Sequence, residues 1–194
     1  MLLLFWVISR LLTSHYYIED PDSLRFALAS QNFNPQLAQP HFPLYPVFVF
    51  LSQITSSLLG SFALGFSFIG AVSGWLITLS SFFWLRWWSW EIDFNHGAFP
   101  WRLKHSLLAA FIFFNPMIWI MSNRFMPDLC GLAVVSLIFA CLSQLRFQSN
   151  SLLFWVGLLV GLLFGVRLSY SPLLLPCIWL LRESRFYRGT STGL

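Results

Sequence analysis

Charge is scarce in this chain. Of its 194 residues only 9% are Asp, Glu, Lys or Arg, against about 25% in soluble globular domains. None of the four occurs from Phe26 through Leu85. Cysteine is scarce as well. Cys130, Cys141 and Cys177 all sit in apolar stretches, without CxxC or Cys/His ligand spacing, so neither a disulfide framework nor a zinc site is indicated. No repeat and no low-complexity tract is present. The opening MLLLFWVISRLL lacks the basic start and small-residue cleavage site of a secretory signal. These absences exclude a soluble enzyme, a disordered tail and a nucleic-acid binder.

What is abundant points the other way. Hydrophobic residues make up 57% of the chain and aromatic residues 19%, with 22 Phe and 10 Trp. Mean hydropathy is +0.70. A soluble domain of this size could not hide so much apolar surface. The class that remains is a multi-pass membrane protein. Lys and Arg exceed Asp and Glu by 11 to 7, an excess that reports loop orientation.

The first predicted membrane helix runs from the N-terminus with apolar character through Tyr17, interrupted by Arg10, which needs a partner or a route to the interface. SLRFALAS fits a short amphipathic helix. QNFNPQLAQPHFPLYP is polar and proline-rich and cannot be one spanning helix. Residues 43–59 lie at the interface or dip in and return. Further spans are predicted at Phe62–Leu85, Ser106–Met121, Leu129–Leu145, Ser151–Val166 and, shorter, Leu168–Leu181. RWWSWEIDFNHGAFPWRLKH, rich in Trp, suits a membrane boundary.

If the N-terminus is cytoplasmic and residues 43–59 do not cross, Arg86, Arg102, Lys104, Arg146, Arg182, Arg185 and Arg188 are inside, and only Arg25, Arg124 and Arg167 are outside. The positive-inside rule favours this arrangement; a full crossing by residues 43–59 would reverse the bias. The expected architecture is therefore all-α: a polytopic membrane helical bundle of about six spans, residues 1–194 forming one transmembrane domain. An outer loop at 18–61 carries short juxtamembrane helices, and 182–194 is a polar basic tail. Gly70/Gly74 and Gly157/Gly161/Gly165 cut grooves for close helix packing within the protein, or for dimerisation.

The outer face gathers unusual residues. Glu19, Asp20 and Asp22 stand where the chain leaves the bilayer, and Arg124, Asp128 and Arg167 lie at other outer helix ends. Acids and guanidinium groups at this height suit a sugar carried on a lipid phosphate. A carboxylate can take the proton of an acceptor hydroxyl as it attacks the anomeric carbon. Arginine forks can stabilise the departing phosphate. The transition state would be oxocarbenium-like, and direct attack would invert the anomeric centre. Each residue also has a bland role: Asp20 or Asp22 as cap of SLRFALAS, Asp128 as a cap after Pro127, Arg124 and Arg167 as snorkelling side chains, and His41 as a turn residue. His15 reads as interfacial, while His96 and His105 fall on the cytoplasmic side.

In order along the chain, EDPDSLRFALA, QPHFPLYPVFVFLSQI, FALGFSFIGAVSGWLITLSSFFWLRWW, FFNPMIWIMSNRFMPDLCGLA and GLLVGLLFGVRLSYSPLLLP resemble the bacterial membrane glycosyltransferases of the GT-C fold. That superfamily includes protein O-mannosyltransferases and lipid A aminoarabinose transferases. The resemblance implies a polyprenyl-phosphate-sugar donor, an acceptor hydroxyl, and an active face on the non-cytoplasmic side of the inner membrane. The register of DSLRFA points to Asp22 as base, with Asp20 or Glu19 as substitutes. Ser23 stands where the family often has a Glu, which weakens any role needing that second acid, including metal binding. Arg124, Arg167 and His41 would bind the donor phosphate, with His41 also shaping the site, and Asp128 is a further candidate. No cofactor or metal is predicted, and a divalent ion stays open. Members are usually longer, so the resemblance implies an N-terminal part, active or inactive. The alternatives are a membrane transporter, given the proline-broken segments and intramembrane Arg10, or a non-catalytic multi-pass protein.

Overall fold

The computed structural model describes residues 2–91, 107, 110–143, 150–176 and 178. These form an all-helical structure with one isolated β-bridge, Asn34 to Gln39. The α-helices are α1 (Leu2–Leu12), α2 (Pro21–Gln31), α3 (Pro46–Leu59), α4 (Phe62–Glu91), α5 (Pro116–Met121), α6 (Asp128–Ser143) and α7 (Asn150–Val166). Two 3-10 helices, Pro35–Leu37 and Leu168–Leu173, complete the described elements.

Helix α4 is the central element, touching α1, α3 and α6, and α7 lies against α6 and α3. Its 22-residue stretch Phe62–Phe83 is long and apolar enough to cross a membrane, the single helix among the described residues that is. At 1.5 Å per residue such a helix spans about 33 Å, against a hydrocarbon core of about 30 Å. Shorter apolar helices are Leu3–Leu12, Pro46–Leu59, Asp128–Ser143 and Leu152–Val166.

Three apolar clusters hold the helices together. Phe26, Phe48, Phe66, Phe125 and Val166 join α2, α3 and α4 to the turn before α6 and the end of α7. Trp6, Ala71, Ile77, Phe113, Ile118 and Leu129 join α1, α4, α5 and α6. Val135, Ile138, Val156 and Leu163 join α6 to α7. Small hydroxyl residues lie inside among them: Ser52, Ser67, Ser73, Thr78, Ser80, Ser81 and Ser136 are buried. Several of these hydroxyls bond carbonyls three or four residues back in their own helix, as Thr78 does to Gly74 and Ser81 to Thr78. Meanwhile Leu4, Phe5, Phe50, Phe111 and Phe154 face outward.

Arg10 finds its partner in the interior. It is 7% exposed, donates to the Trp119 carbonyl at 2.9 Å, and lies 4.1 Å from the Trp119 ring centroid and 5.3 Å from that of Trp6. A guanidinium against aromatic faces gains cation–π attraction that grows with desolvation. The Trp6 indole also donates to the Ala71 carbonyl at 2.7 Å, tying α1 to α4.

Several predicted boundaries move. The first helix stops at Leu12 rather than continuing to Tyr17; Asn123 donates to the Thr13 carbonyl at 2.8 Å and holds the chain end there. The span predicted at Ser106–Met121 is broken. Residues 110–113 are helical, Phe114 turns, and α5 restarts at Pro116, which has no amide hydrogen and clashes with a preceding helical turn. Asn115 caps the restart by accepting from the Met117 amide at 2.9 Å. The predicted helix at Leu168–Leu181 begins as a 3-10 turn containing Pro172. Of α2's two possible caps, Asp20 is the one, and Asp22 lies in the first turn. Asp128 is the first residue of α6. His96, His105, Cys177, the loop bases Arg102, Lys104 and Arg146, and the tail 182–194 lie outside the described residues, as does the Arg86 side chain.

The two glycine sets behave differently. A Cβ on Gly70 would stand 1.8 Å from the Ser122 carbonyl oxygen, and one on Gly74 would meet Trp6 at 2.8 Å. Gly165 abuts Val47, whereas Gly157 and Gly161 have nothing within 4 Å. Gly70→Ala is therefore expected to cost about 1–3 kcal/mol or more by forcing α4 away from the 122 backbone. Gly161→Ala is expected to be neutral or to stabilise by up to about 1 kcal/mol through helix propensity. Denaturant titration of the two variants in detergent checks the contrast; equal midpoints would contradict the packing.

Candidate functional site

The acids and arginines assemble at one end of the helices because the chain returns there. The Tyr16 hydroxyl lies 2.8 Å from Ser61 Oγ, so the exit from α1 sits beside the entry to α4. Phe62 of α4 meets Phe125 at 5.4 Å between ring centroids. The turn before α6 and the end of α7 complete this end, where Arg167 of the post-α7 turn lies against Gly131 of α6.

Glu19 and Asp20 face Arg124 from the first loop. Arg124 Nε donates to Glu19 Oε2, and its Nη2 pairs with the same oxygen. The Nη2 is also 3.6 Å from Asp20 Oδ2. Asp20 Oδ1 accepts from the Ser23 amide at 2.7 Å as the cap of α2. Asp20 Oδ1 is thus engaged by the helix end, and its Oδ2 stands at long ion-pair range of the guanidinium. Such caps suit the helix dipole as well as the orphan amide.

Arg167 pairs with Asp128 at 2.7 Å and stands 5.6 Å from the Tyr45 ring centroid. Its Nε is buried without a hydrogen-bond partner. A guanidinium has five N–H donors, so one carboxylate leaves others for a further acceptor.

Asp22 is the least constrained of the four acids. Its Oδ1 is 3.4 Å from Arg25 Nη1, with both side chains 44% exposed. His41 Nδ1 is 3.6 Å from the same oxygen, beyond hydrogen-bond length. The His41 ring is wedged by Phe26 at 5.8 Å and Tyr45 at 5.6 Å between centroids, both edge-on. Leu44 and Tyr45, which carry the chain from this turn into α3, have φ of 71° and 43°. Left-handed backbone at residues this bulky costs roughly 1–3 kcal/mol each and is seen where a side chain must be aimed. Here it sets the Tyr45 ring between His41 and Arg167.

The seven candidate residues fall into three separate groups: Glu19, Asp20 and Arg124 in one, Asp22 and His41 in a second, Arg167 and Asp128 in a third. Tyr45 links the second to the third. Sequence reasoning put Arg25 on the outer side without giving it a partner, and it missed Tyr45. Arg25 was legible as the i+3 neighbour of Asp22 on a helix; Tyr45 carried no signal, because its placement depends on the left-handed turn. Among the described residues no group of three or more His, Cys, Asp or Glu is disposed to hold a metal ion. No family model, curated protein or solved structure matches the chain.

Replacing Asp20 with Ala is expected to destabilise the fold by about 1 kcal/mol, the usual cost of a lost cap, while Asp22→Ala stays within about 0.5 kcal/mol. Equilibrium unfolding of the two variants measures the difference.

Proposed function

We propose that this chain is an integral-membrane glycosyltransferase of the GT-C type. It moves a sugar from a polyprenyl-phosphate donor to an acceptor hydroxyl at the non-cytoplasmic face of the inner membrane. The bundle would cross the bilayer about six times, with the 18–61 segment gathered at the outer boundary. The membrane part of the reading is supported by the apolar length of Phe62–Phe83 and by the outward placement of large apolar side chains over buried serines. Small and hydroxyl residues between helices are the usual interior of a membrane bundle.

The observation that carries the chemistry is the unequal employment of four carboxylates at one end of the helices. Glu19 and Asp128 are committed to Arg124 and Arg167. Asp20 is committed to a helix cap. Asp22 alone has a half-exposed carboxylate held only by long contacts, as a general base must have to reach a substrate proton.

In the reaction, the acceptor oxygen forms a bond to the anomeric carbon while its proton passes to Asp22. The bond from that carbon to the phosphate oxygen breaks, and its electron pair leaves with the lipid phosphate. Arg124 and Arg167 turn their remaining N–H donors to the phosphate, whose charge grows as the bond opens. A single displacement inverts the anomeric configuration.

The test uses the full chain in lipid nanodiscs with a panel of short polyprenyl-phosphate hexoses and pentoses, reading release of polyprenyl phosphate and the configuration of the product. Asp22→Asn is expected to lower transfer by about 10²–10⁴-fold, the typical contribution of a positioned base. Transfer unchanged by this substitution, a retained configuration, or no transfer by the wild type would overturn the reading.

A further inference from the structure

His41 has a role that the donor-phosphate assignment does not describe. Its side chain is 27% exposed, yet Nδ1 is buried and without a hydrogen-bond partner. A buried ring nitrogen left unpaired is costly, on the order of 1–3 kcal/mol. The carboxylate oxygen of Asp22 lies 3.6 Å away, about half an ångström beyond a good hydrogen bond. The ring cannot turn freely to seek another partner, because Phe26 and Tyr45 meet it edge-on. Contacts of this kind are often long in a free enzyme and shorten when substrate closes the site.

The same carboxylate oxygen, Oδ1, faces Arg25 Nη1 at 3.4 Å. Two donors therefore approach one oxygen from α2 and from the proline-rich turn. Among the described residues none approaches Oδ2 within bonding distance. The groups bordering the pair are Arg25 on its own helix, Tyr45 at the start of α3, and Arg167 beyond the Tyr45 ring.

We propose that His41 is a positioning residue for Asp22: with the proton on Nδ1 it donates to Oδ1 beside Arg25, and so leaves Oδ2 as the oxygen that accepts the substrate proton. This rests on the glycosyl-transfer reading and deepens it. The imidazole does not touch the reacting atoms. It fixes which carboxylate oxygen is free and where it points, as an aspartate does for histidine in catalytic triads, with the partners exchanged.

Two measurements test it, one independent of turnover. The first is nitrogen NMR of histidine-labelled full-length protein in nanodiscs, with the His41 resonances identified by their absence from His41→Asn. The wild type is expected to show the Nδ1–H tautomer, and Asp22→Asn to lose it. An Nε2–H tautomer in the wild type, or one indifferent to Asp22, would overturn the proposal whatever the protein's activity.

The second is kinetic. His41→Ala is expected to lower kcat by about 10–100-fold, the usual loss when a group that orients a reacting one is removed. KM for the donor should change by less than about 3-fold, since ground-state binding is untouched. His41→Asn, whose amide nitrogen can donate from nearly the same place, should recover most of that loss. In the Asp22→Asn background His41→Ala should change the residual rate less than about 3-fold, because residues acting as a unit are not additive. A loss confined to KM, no recovery by Asn, or full additivity would overturn it. Should the wild type transfer no sugar while the tautomer still depends on Asp22, the function falls and the pairing stands.

Discussion

The chain between Thr13 and Ser61 leaves the helices and rejoins them at the same end, and the rest of the structure depends on that constraint. Three contacts enforce it. Asn123 holds the Thr13 backbone, Tyr16 reaches Ser61, and Arg124 grips Glu19. Because the excursion returns, α4 runs away from the acids rather than toward them, and the start of α6 and the end of α7 come back to the same end. Arg124 then meets Glu19 and Asp20 across more than 100 residues of sequence, and Arg167 meets Asp128. A crossing by α3 would have scattered these groups between two ends.

The interior is built to permit this arrangement. Glycine at position 70 lets α4 lie directly on the backbone at Ser122, and this close approach sets the height of the turn that carries Arg124. Phe125, one residue on, is buried against Phe62 and Phe66, so the arginine is presented from a fixed base. One turn further along the same face of α4, where Gly74 meets Trp6 and Ile118, Arg10 clamps α1 to the last turn of α5 through the Trp119 carbonyl and its ring. A cation in that position needs no carboxylate, because two indole faces and a carbonyl dipole compensate it. Small hydroxyls lie inside beside the buried Phe and Trp rings, and further large apolar groups face outward.

Much of this was legible in the residues, and what was not has specific causes. The helical class and the long α4 followed from apolar length. The acidic exit and the distant arginines were visible as charges with no reason to be in an apolar chain. The break at Pro116 was present in the letters but masked by the apolar run around it. The division of labour among the carboxylates was not legible. Which acid caps α2 depends on where the helix begins, and a shift of two residues exchanges Asp20 for Asp22. Nor could spacing reveal that His41 turns its Nδ1 to Asp22 rather than outward, because two left-handed residues and two aromatic rings decide that orientation.

The central claim, that the acidic loop is gathered at one membrane face, is tested most directly by labelling. Single cysteines at Tyr17, Phe42 and Leu58, all well exposed, are introduced into a chain whose native Cys130, Cys141 and Cys177 are replaced by serine. The account predicts that a membrane-impermeant thiol reagent added outside right-side-out vesicles labels all three positions at once. Labelling of position 58 only after the vesicles are opened, with position 17 reacting beforehand, would contradict it.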